Sequence, residues 1–246
     1  MFRIVMLIIR GIFSLPAWFI RLQKIKNDPQ VSRMERYHLA QRICAWIMRH
    51  GNIAPVISGI ENLPQENGYL LTPNHQGLFD PVLICYSHPR YTTAVVKIEL
   101  TKVFFVKDLI LLLQAHPMDR QNLRQSMQVI HNVTADLKAQ LNCIIFPEGT
   151  RSKKGNVMGE FKGGSFKSAV NAQAPIVPVA LIDCFKVFDE KSIRMVHPQI
   201  HYLTPITYEQ YQDLSTEEIA ELVKTRIQEK IDACLEEKKS KAVCDV

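Results

Sequence analysis

A histidine and an aspartate stand five residues apart in the segment TPNHQGLFDP, residues 72–81. A histidine acts as a general base when a carboxylate fixes its tautomer and stabilises the imidazolium. Asp80 could do this for His75 if the loop between them, which contains Gly77, folds back. Asp80 is also followed by Pro81, a pair typical of a helix cap. The two residues alone therefore leave two interpretations open, a catalytic base with its orienting acid and a loop histidine beside a helix cap.

A second candidate segment, CIIFPEGTRSKKG at residues 143–155, places charged residues directly after an apolar run. Gly149 could present its backbone N–H to an oxyanion. Arg151 offers the paired donors that suit a phosphate, and the glycines at 163–164 lead into a helix N-terminus, where anions bind. This segment predicts a site for an anionic substrate, and the alternative is a charged surface turn. Three lysines add positive charge: Lys153, Lys154 and Lys162.

A third pair of segments carries two further cations. Lys97 ends a predicted strand in VVKIELTKVFF, and Arg120 follows another in AHPMDRQN. Arg120 is the second candidate ligand for a phosphate. The alternative is a local role, in which Arg120 pairs with Asp119 or caps a helix.

These segments lie in a chain whose short apolar runs alternate with helical stretches. That alternation predicts an α/β fold with a mixed, largely parallel sheet flanked by helices. Because sites in such folds lie in the loops after strand C-termini, we expect the three segments to meet at one edge of the sheet. The predicted strands are 55–58, 69–72, 92–96, 114–116, 143–146, 176–181 and 195–202. The predicted helices are 81–86, 101–112, 123–139, 165–171 and 216–237.

The net charge of +6 is concentrated in the first fifth of the chain. Residues 1–50 hold nine Lys or Arg and two acids, whereas residues 51–246 hold 21 basic and 22 acidic residues. A basic segment rich in Ile, Leu, Phe and Trp favours an anionic membrane surface over nucleic acid. We therefore divide the chain into N-terminal amphipathic, membrane-associating helices (1–50) and a catalytic domain (51–246).

The opening segment, MFRIVMLIIRGIFSLPAWFIRLQKIK, is almost wholly apolar. On a single helix its polar residues would form a narrow stripe, with a bend at Pro16. A full membrane span and a signal peptide compete with a helix lying in the bilayer interface, and the stripe favours the interface. A second amphipathic stretch at 32–48 predicts either the other half of a membrane hairpin or a helix packed on the body. The stripe residues are Arg3, Arg10, Ser14 and Arg21.

Four blocks of this sequence resemble those of the glycerolipid acyltransferases, in particular the bacterial 1-acyl-sn-glycerol-3-phosphate acyltransferases. NHQGLFD resembles the family's N-H-x-x-x-x-D block, and FPEGTRS its third block. VKIEL with the later DR resembles the second, and IVPVAL the fourth. The blocks follow the family order over residues 55–205. The resemblance implies that His75 is the general base, that Asp80 orients it and that Gly149 binds the oxyanion. It also implies substrate-binding roles for Asn74, Lys97, Arg120, Glu148, Thr150, Arg151 and Lys162.

The reaction that this resemblance implies is acyl transfer. A fatty acyl group would pass from acyl carrier protein or coenzyme A to the sn-2 hydroxyl of lysophosphatidic acid, at the cytoplasmic face of the cell membrane. No metal, cofactor or nucleic acid is implied, and the six cysteines form no CxxC pair. Three alternatives remain: another acceptor such as glycerol 3-phosphate or a lysophospholipid, a thioesterase-like hydrolase, and a non-catalytic membrane-binding protein.

Overall fold

The computed structural model describes residues 2–244, with side chains described through residue 240. Its centre is a seven-stranded sheet in the order β1-β7-β6-β2-β5-β3-β4. All neighbouring strands are parallel except β6 and β7, which are antiparallel. The predicted mixed, largely parallel sheet is therefore confirmed. The strands are β1 (Val56–Ser58), β2 (Leu70–Pro73), β3 (Thr92–Lys97), β4 (His116–Met118), β5 (Asn142–Ile144), β6 (Ile176–Ile182) and β7 (Gln199–Tyr202).

Helices cover both faces of this sheet. The α-helices are α1 (Phe2–Arg10), α2 (Leu15–Ile25), α3 (Arg33–His50), α4 (Asp80–Ser87), α5 (Val106–Leu112), α6 (Leu123–Lys138), α7 (Lys167–Ala172), α8 (Tyr208–Tyr211) and α9 (Thr216–Cys244). The short α8 is not among the predicted helices. α9 begins with a capping box, because Ser215 and Glu218 each accept a backbone N–H from the other.

Two predicted boundaries are wrong near the third segment. The helix predicted at 101–112 begins at Val106, and residues Ile98–Lys102 form a 3₁₀ turn instead. The strand predicted at 114–116 lies at His116–Met118. Gln114 has φ of 49°, a left-handed conformation that no strand accommodates, so pairing starts two residues later.

Successive residues of β2 pack into two different hydrophobic clusters, one on each face of the sheet. Leu70 packs into a cluster formed with α6, α7 and α9, and Leu71 packs into another formed with α4. Successive strand residues point to opposite faces, so both faces of β2 are buried. The loop that follows β2 is therefore anchored in the middle of the protein.

The N-terminal helices depart from the single-helix prediction. The chain bends by 87° between α1 and α2, so the break lies in residues 11–14 and not at Pro16. Pro16 lies in the first turn of α2, where a proline costs no hydrogen bond. Arg3 is fully buried and so is not part of an exposed polar stripe.

The outer surface of α1 and the turn after it is apolar and exposed. Phe13 is 94 % exposed, and Ile9 is 67 % exposed. Within the described residues no single helix has the length and hydropathy to cross a bilayer, although α1 and α2 reach that threshold when they are taken together. Other exposed residues of this surface are Phe2, Ile4, Val5, Ile8 and Ile12.

The second N-terminal stretch is a helix packed on the body, which decides between the two interpretations of residues 32–48. α3 begins at a Ser32–Glu35 capping box and packs against α4. Leu39 and Ile43 are buried in that contact. Gly51 ends the helix.

Candidate active site

His75 and Asp80 meet at the end of β2. The His75 Nδ1 lies 2.7 Å from Asp80 Oδ2. The same oxygen accepts the backbone N–H groups of Gln76 (2.6 Å) and Gly77 (2.9 Å). Asp80 is the first residue of α4, and its carboxylate turns back over the loop instead of capping the helix. The folded-back loop required for a base and its orienting acid is therefore present.

Burial sets the electrostatics of this pair. Asp80 is fully buried, and its Oδ1 has no hydrogen-bond partner in the described part of the chain. Burial raises the pKa of the Asp80 carboxyl, while the hydrogen bonds from His75, Gly77 and Gln76 act in the opposite direction. A poorly solvated carboxylate gains most from a neighbouring cation, so Asp80 favours proton uptake by His75 during a reaction.

The other ring nitrogen of His75 faces outward. The side chain is 19 % exposed, and its ring packs on Phe146 with centroids 4.2 Å apart. Nε2 hydrogen-bonds to no described residue. His75 thus presents one nitrogen to Asp80 and leaves the other for a proton of a bound substrate, which is the arrangement a general base requires.

Glu148 holds the second segment against the first. One carboxylate oxygen accepts the His75 N–H at 2.7 Å, and the other accepts the Gly159 N–H at 2.9 Å. The side chain is buried, and burial raises its pKa. Both oxygens accept backbone N–H groups, so Glu148 positions the two segments relative to each other, and its substrate-binding role remains a prediction. Nearby, the Ser152 N–H donates to the His75 carbonyl oxygen at 2.9 Å.

We expect Glu148→Gln to lower both stability and activity. Glutamine keeps the shape but has one acceptor oxygen, so either the His75 N–H or the Gly159 N–H loses its partner. A buried donor without a partner costs about 1–3 kcal/mol. Chemical denaturation should show a loss of that size in the free energy of unfolding. An unchanged midpoint would show that Glu148 does not join the two segments.

Asn74 also has a structural role, contrary to the expected contact with substrate. It is buried, and its amide makes paired hydrogen bonds with the backbone of Leu181, at 3.0 Å to the carbonyl oxygen and 2.7 Å from the N–H. This pairing extends the contact between β2 and β6 by one residue. It fixes the starting point of the loop from His75 to Asp80, which we call the His75 loop.

The side chains of Gln76, Asn156 and Asp183, which the sequence analysis did not identify, support the same loop. Gln76 donates to Asn156 Oδ1 at 2.8 Å and accepts the Cys184 N–H at 2.8 Å. Asn156 in turn makes paired contacts of 2.9 Å with Asp183. Amide side chains carry no local sequence signal for such pairing. The only available indication was their placement beside the recognised blocks.

Gly149 has a different role from the one expected. Its N–H donates to the Phe146 carbonyl oxygen at 3.0 Å, so this N–H is engaged and the expected oxyanion contact is not available in this conformation. Gly149 adopts φ of 69°, which favours glycine. A Cβ at this position would lie 3.4 Å from Lys162 Nζ. Gly149 therefore makes the turn, and the Lys162 side chain lies against it.

Arg151 and Lys162 supply positive charge close to His75. Arg151 is half-buried and makes no hydrogen bond or ion pair with any residue described in the structure. Lys162 and Thr150 are exposed. Arg151 precedes Ser152, whose N–H donates to the His75 carbonyl oxygen, and it has no described carboxylate partner, so it is suited to bind an anionic group of a substrate. The predicted roles of these three residues remain predictions.

Lys97 and Arg120 lie at the same edge of the sheet but farther from His75. Lys97 forms an exposed ion pair with Glu99 at 2.8 Å. β3 is two strands from β2, a separation of about 10 Å, and β4 is one strand beyond. Arg120 is exposed, and none of its described interactions is with His75. The structure does not bring Lys97 or Arg120 together with the histidine.

The site therefore joins a buried Asp–His pair, placed after a central parallel strand, to a segment rich in cationic residues. The acyltransferase family profile matches residues 54–182, which include both segments. The chain belongs to the acyltransferase family.

Three known proteins are similar to this chain in sequence or in structure. A 1-acyl-sn-glycerol-3-phosphate acyltransferase of Cocos nucifera is 31 % identical over 76 % of this chain and 59 % of its own length. One of Borreliella burgdorferi is 24 % identical over 78 % of this chain and 76 % of its own length. The crystal structure of the 1-acyl-sn-glycerophosphate (LPA) acyltransferase of Thermotoga maritima superposes with a TM-score of 0.74 at 21 % identity, covering 92 % of this chain and 91 % of that one. The fold is therefore shared.

Proposed function

We propose that this protein transfers a fatty acyl group from a thioester to the sn-2 hydroxyl of lysophosphatidic acid, giving phosphatidic acid. The observation that carries this proposal is the His75–Asp80 pair at 2.7 Å, which is hydrogen-bonded to the segment that contains Arg151. His75 Nε2 takes the hydroxyl proton as the oxygen attacks the thioester carbonyl. The tetrahedral intermediate then collapses, the acyl–oxygen ester remains and the thiolate leaves.

The acceptor is favoured by charge and by the relatives. The relatives in coconut and in Borreliella burgdorferi are named for 1-acyl-sn-glycerol-3-phosphate. In this chain Arg151 and Lys162 provide the charge that would hold a phosphate. The donor would be a thioester of acyl carrier protein or coenzyme A. Glycerol 3-phosphate and other lysophospholipids are the alternative acceptors.

Thiol release tests the proposal directly. Purified protein in detergent micelles would receive a palmitoyl thioester with and without 1-acylglycerol 3-phosphate. We expect thiol release that depends on the acceptor, with phosphatidic acid as the product. Release without the acceptor would identify a thioesterase-like hydrolase. No release with any phosphorylated acceptor would contradict the proposed activity.

Arg151→Ala should raise the KM for the acceptor more than the KM for the thioester. The guanidinium would contact the phosphate, which the donor's acyl group lacks. Loss of a charged hydrogen bond costs about 1.5–3 kcal/mol, so we expect the KM for lysophosphatidic acid to rise by roughly 10- to 150-fold. Initial rates with each substrate varied in turn give both constants. An equal rise in both KM values would remove Arg151 from the phosphate site.

We also propose that α1 docks the protein on the cytoplasmic face of the cell membrane. The exposed apolar surface of α1 and the turn after it supports this, together with the basic residues of the N-terminal fifth. The docked face would bring His75 to a bilayer that contains both the acceptor and the product.

Replacing Ile9 and Phe13 by serine should release the protein from vesicles of anionic lipid. Both side chains are exposed, so the substitutions remove apolar contact with lipid without opening the core. Vesicle sedimentation measures the bound fraction. The matched control replaces Leu123 and Met127 by serine, which are 76 % and 65 % exposed on α6. Equal loss in both variants would show that docking is not confined to the α1 surface.

A further inference from the structure

Arg3 is fully buried on a helix whose other side chains mostly face outward. Its guanidinium donates to backbone carbonyl oxygens alone. The distances are 2.9 Å to Val187, 2.8 Å to Arg194 and 3.3 Å to both Asn52 and Ser192. A fifth bond goes to Gly51. The guanidinium N–H groups bind chain segments that are far from Arg3 in sequence, residues 51–52 and 187–194. Arg3 therefore joins α1 to both segments through directional hydrogen bonds.

Three of these carbonyls belong to one stretch, residues 183–194, which we call the bridging segment. Its other side lies against the His75 loop. The Cys184 N–H donates to Gln76 Oε1 at 2.8 Å, and the Phe188 ring packs edge-on against Phe79 with centroids 5.6 Å apart. The Cα of Phe185 lies 3.3 Å from the point where a Cβ on Gly77 would stand. The bridging segment therefore contacts α1 on one side and the loop between His75 and Asp80 on the other.

We propose that Arg3 is a positioning residue for the reaction: through the bridging segment it fixes the His75 loop relative to α1. The position of the base is then set by the same helix whose outer face is apolar and exposed. This inference rests on the proposed function, because it needs an acyl-transfer rate to be observed. It adds that the N-terminal helix contributes to catalysis itself as well as to docking.

Arg10 provides a matched control on the same helix. It donates to the His50 carbonyl oxygen at 2.7 Å and to Asn52 Oδ1 at 3.0 Å. These contacts resemble those of Arg3 with the turn at residues 51–52. Arg10 reaches the bridging segment only through Asn52, whose amide donates to the Ile193 carbonyl oxygen at 2.9 Å. Arg10→Lys and Arg3→Lys thus remove the same chemical group from α1, but only Arg3→Lys removes hydrogen bonds made directly to the bridging segment.

The experiment compares full-length wild type, Arg3→Lys, Arg10→Lys and Phe188→Leu. It measures kcat and both KM values for palmitoyl thioester and 1-acylglycerol 3-phosphate in mixed micelles, and binding to anionic vesicles. For Arg3→Lys we expect kcat to fall by about 10- to 100-fold, since small misplacements of a reacting group have effects of this size. KM values and vesicle binding should stay at the wild-type level, because the charge and the apolar face remain. Arg10→Lys should keep the wild-type kcat.

Phe188→Leu tests the same connection from its other end. It conserves an apolar side chain at the contact with Phe79 and leaves the carbonyls that bind Arg3 in place. We expect a fall in kcat with unchanged vesicle binding. If Arg3→Lys does not fold, a wild-type kcat in Phe188→Leu overturns the proposal, because the bridging segment would then not position the loop.

The outcomes separate this inference from the proposed function. A wild-type protein without acceptor-dependent thiol release contradicts the proposed function, whatever the variants do. An active wild type with normal kcat in both Arg3→Lys and Phe188→Leu overturns the positioning role of Arg3. Equal losses in Arg3→Lys and Arg10→Lys also overturn it, since the effect would then belong to α1 as a whole.

Discussion

We expect His75→Ala to lower kcat by about 10²- to 10⁴-fold while the protein stays folded. The substitution removes the Nε2 that faces outward from the site, and no other described side chain is placed to take the proton. Asp80 keeps the backbone N–H groups of Gln76 and Gly77, so its carboxylate is not left without partners. Acceptor-dependent thiol release gives the rate, and circular dichroism checks the fold.

The chain contains a close match to this pair that serves as a control. His116 contacts Asp136 at 2.6 Å, and its side chain is 18 % exposed against 19 % for His75. His116→Ala should therefore affect stability in a similar way and leave kcat near the wild-type value. A comparable loss of kcat in the two variants would mean that His75 acts through the fold. A wild-type rate in His75→Ala would remove the general base from the mechanism.

The second large effect is expected for Asp80→Asn, with a fall in kcat of roughly 10²- to 10⁴-fold. Asp80 Oδ2 accepts His75 and two backbone N–H groups at once. The two backbone N–H groups need an acceptor where Oδ2 lies, so the amide oxygen of asparagine takes that position and its NH₂ takes that of Oδ1, which has no described partner. His75 Nδ1 then keeps its acceptor, but the negative charge that stabilises the imidazolium during proton transfer is lost.

The tautomer itself can be measured. Nitrogen NMR of the His75 ring should show the proton on Nδ1 in both the wild type and Asp80→Asn, so that a loss of kcat is due to the lost charge and not to a changed tautomer. The control is Asp136→Asn, which changes the partner of His116 and should leave both the His75 signal and kcat unaltered. A kcat in Asp80→Asn within a few-fold of the wild type would show that the carboxylate does not orient the base.

The sequence was sufficient for the sheet because each strand is a short apolar run between turns. Every predicted strand overlaps an observed one. Two begin two or more residues later than predicted: the strand predicted at 114–116 begins at His116, after the left-handed Gln114, and the strand predicted at 195–202 begins at Gln199. The N-terminal bend was not predictable from periodicity, because a helical wheel presumes one continuous helix. The break at residues 11–14 and the burial of Arg3 both depend on the body against which the helices pack.

In the site, contacts within one short loop were predictable from the sequence, whereas contacts between distant residues were not. The His75–Asp80 contact was predictable because both residues lie in one short loop. The hydrogen bonds of Glu148 and Asn74 are not predictable from the sequence, because their partners are backbone groups elsewhere in the chain. The conformational freedom of Gly149, which suggests an oxyanion contact, is visible in the sequence. The hydrogen bond that engages its N–H is not.

The hydrogen bonds that hold the His75 loop also bear on how the protein acquires its activity. The loop is held by Glu148, 73 residues away in sequence, and by Leu181 and Cys184, which are 107 and 108 residues from their partners. Contacts between such distant residues require large loops to close, and they form late in folding. During refolding, helical circular dichroism should therefore recover before acyl transfer does. A nascent chain would acquire a working site only after β6 has been synthesised and paired.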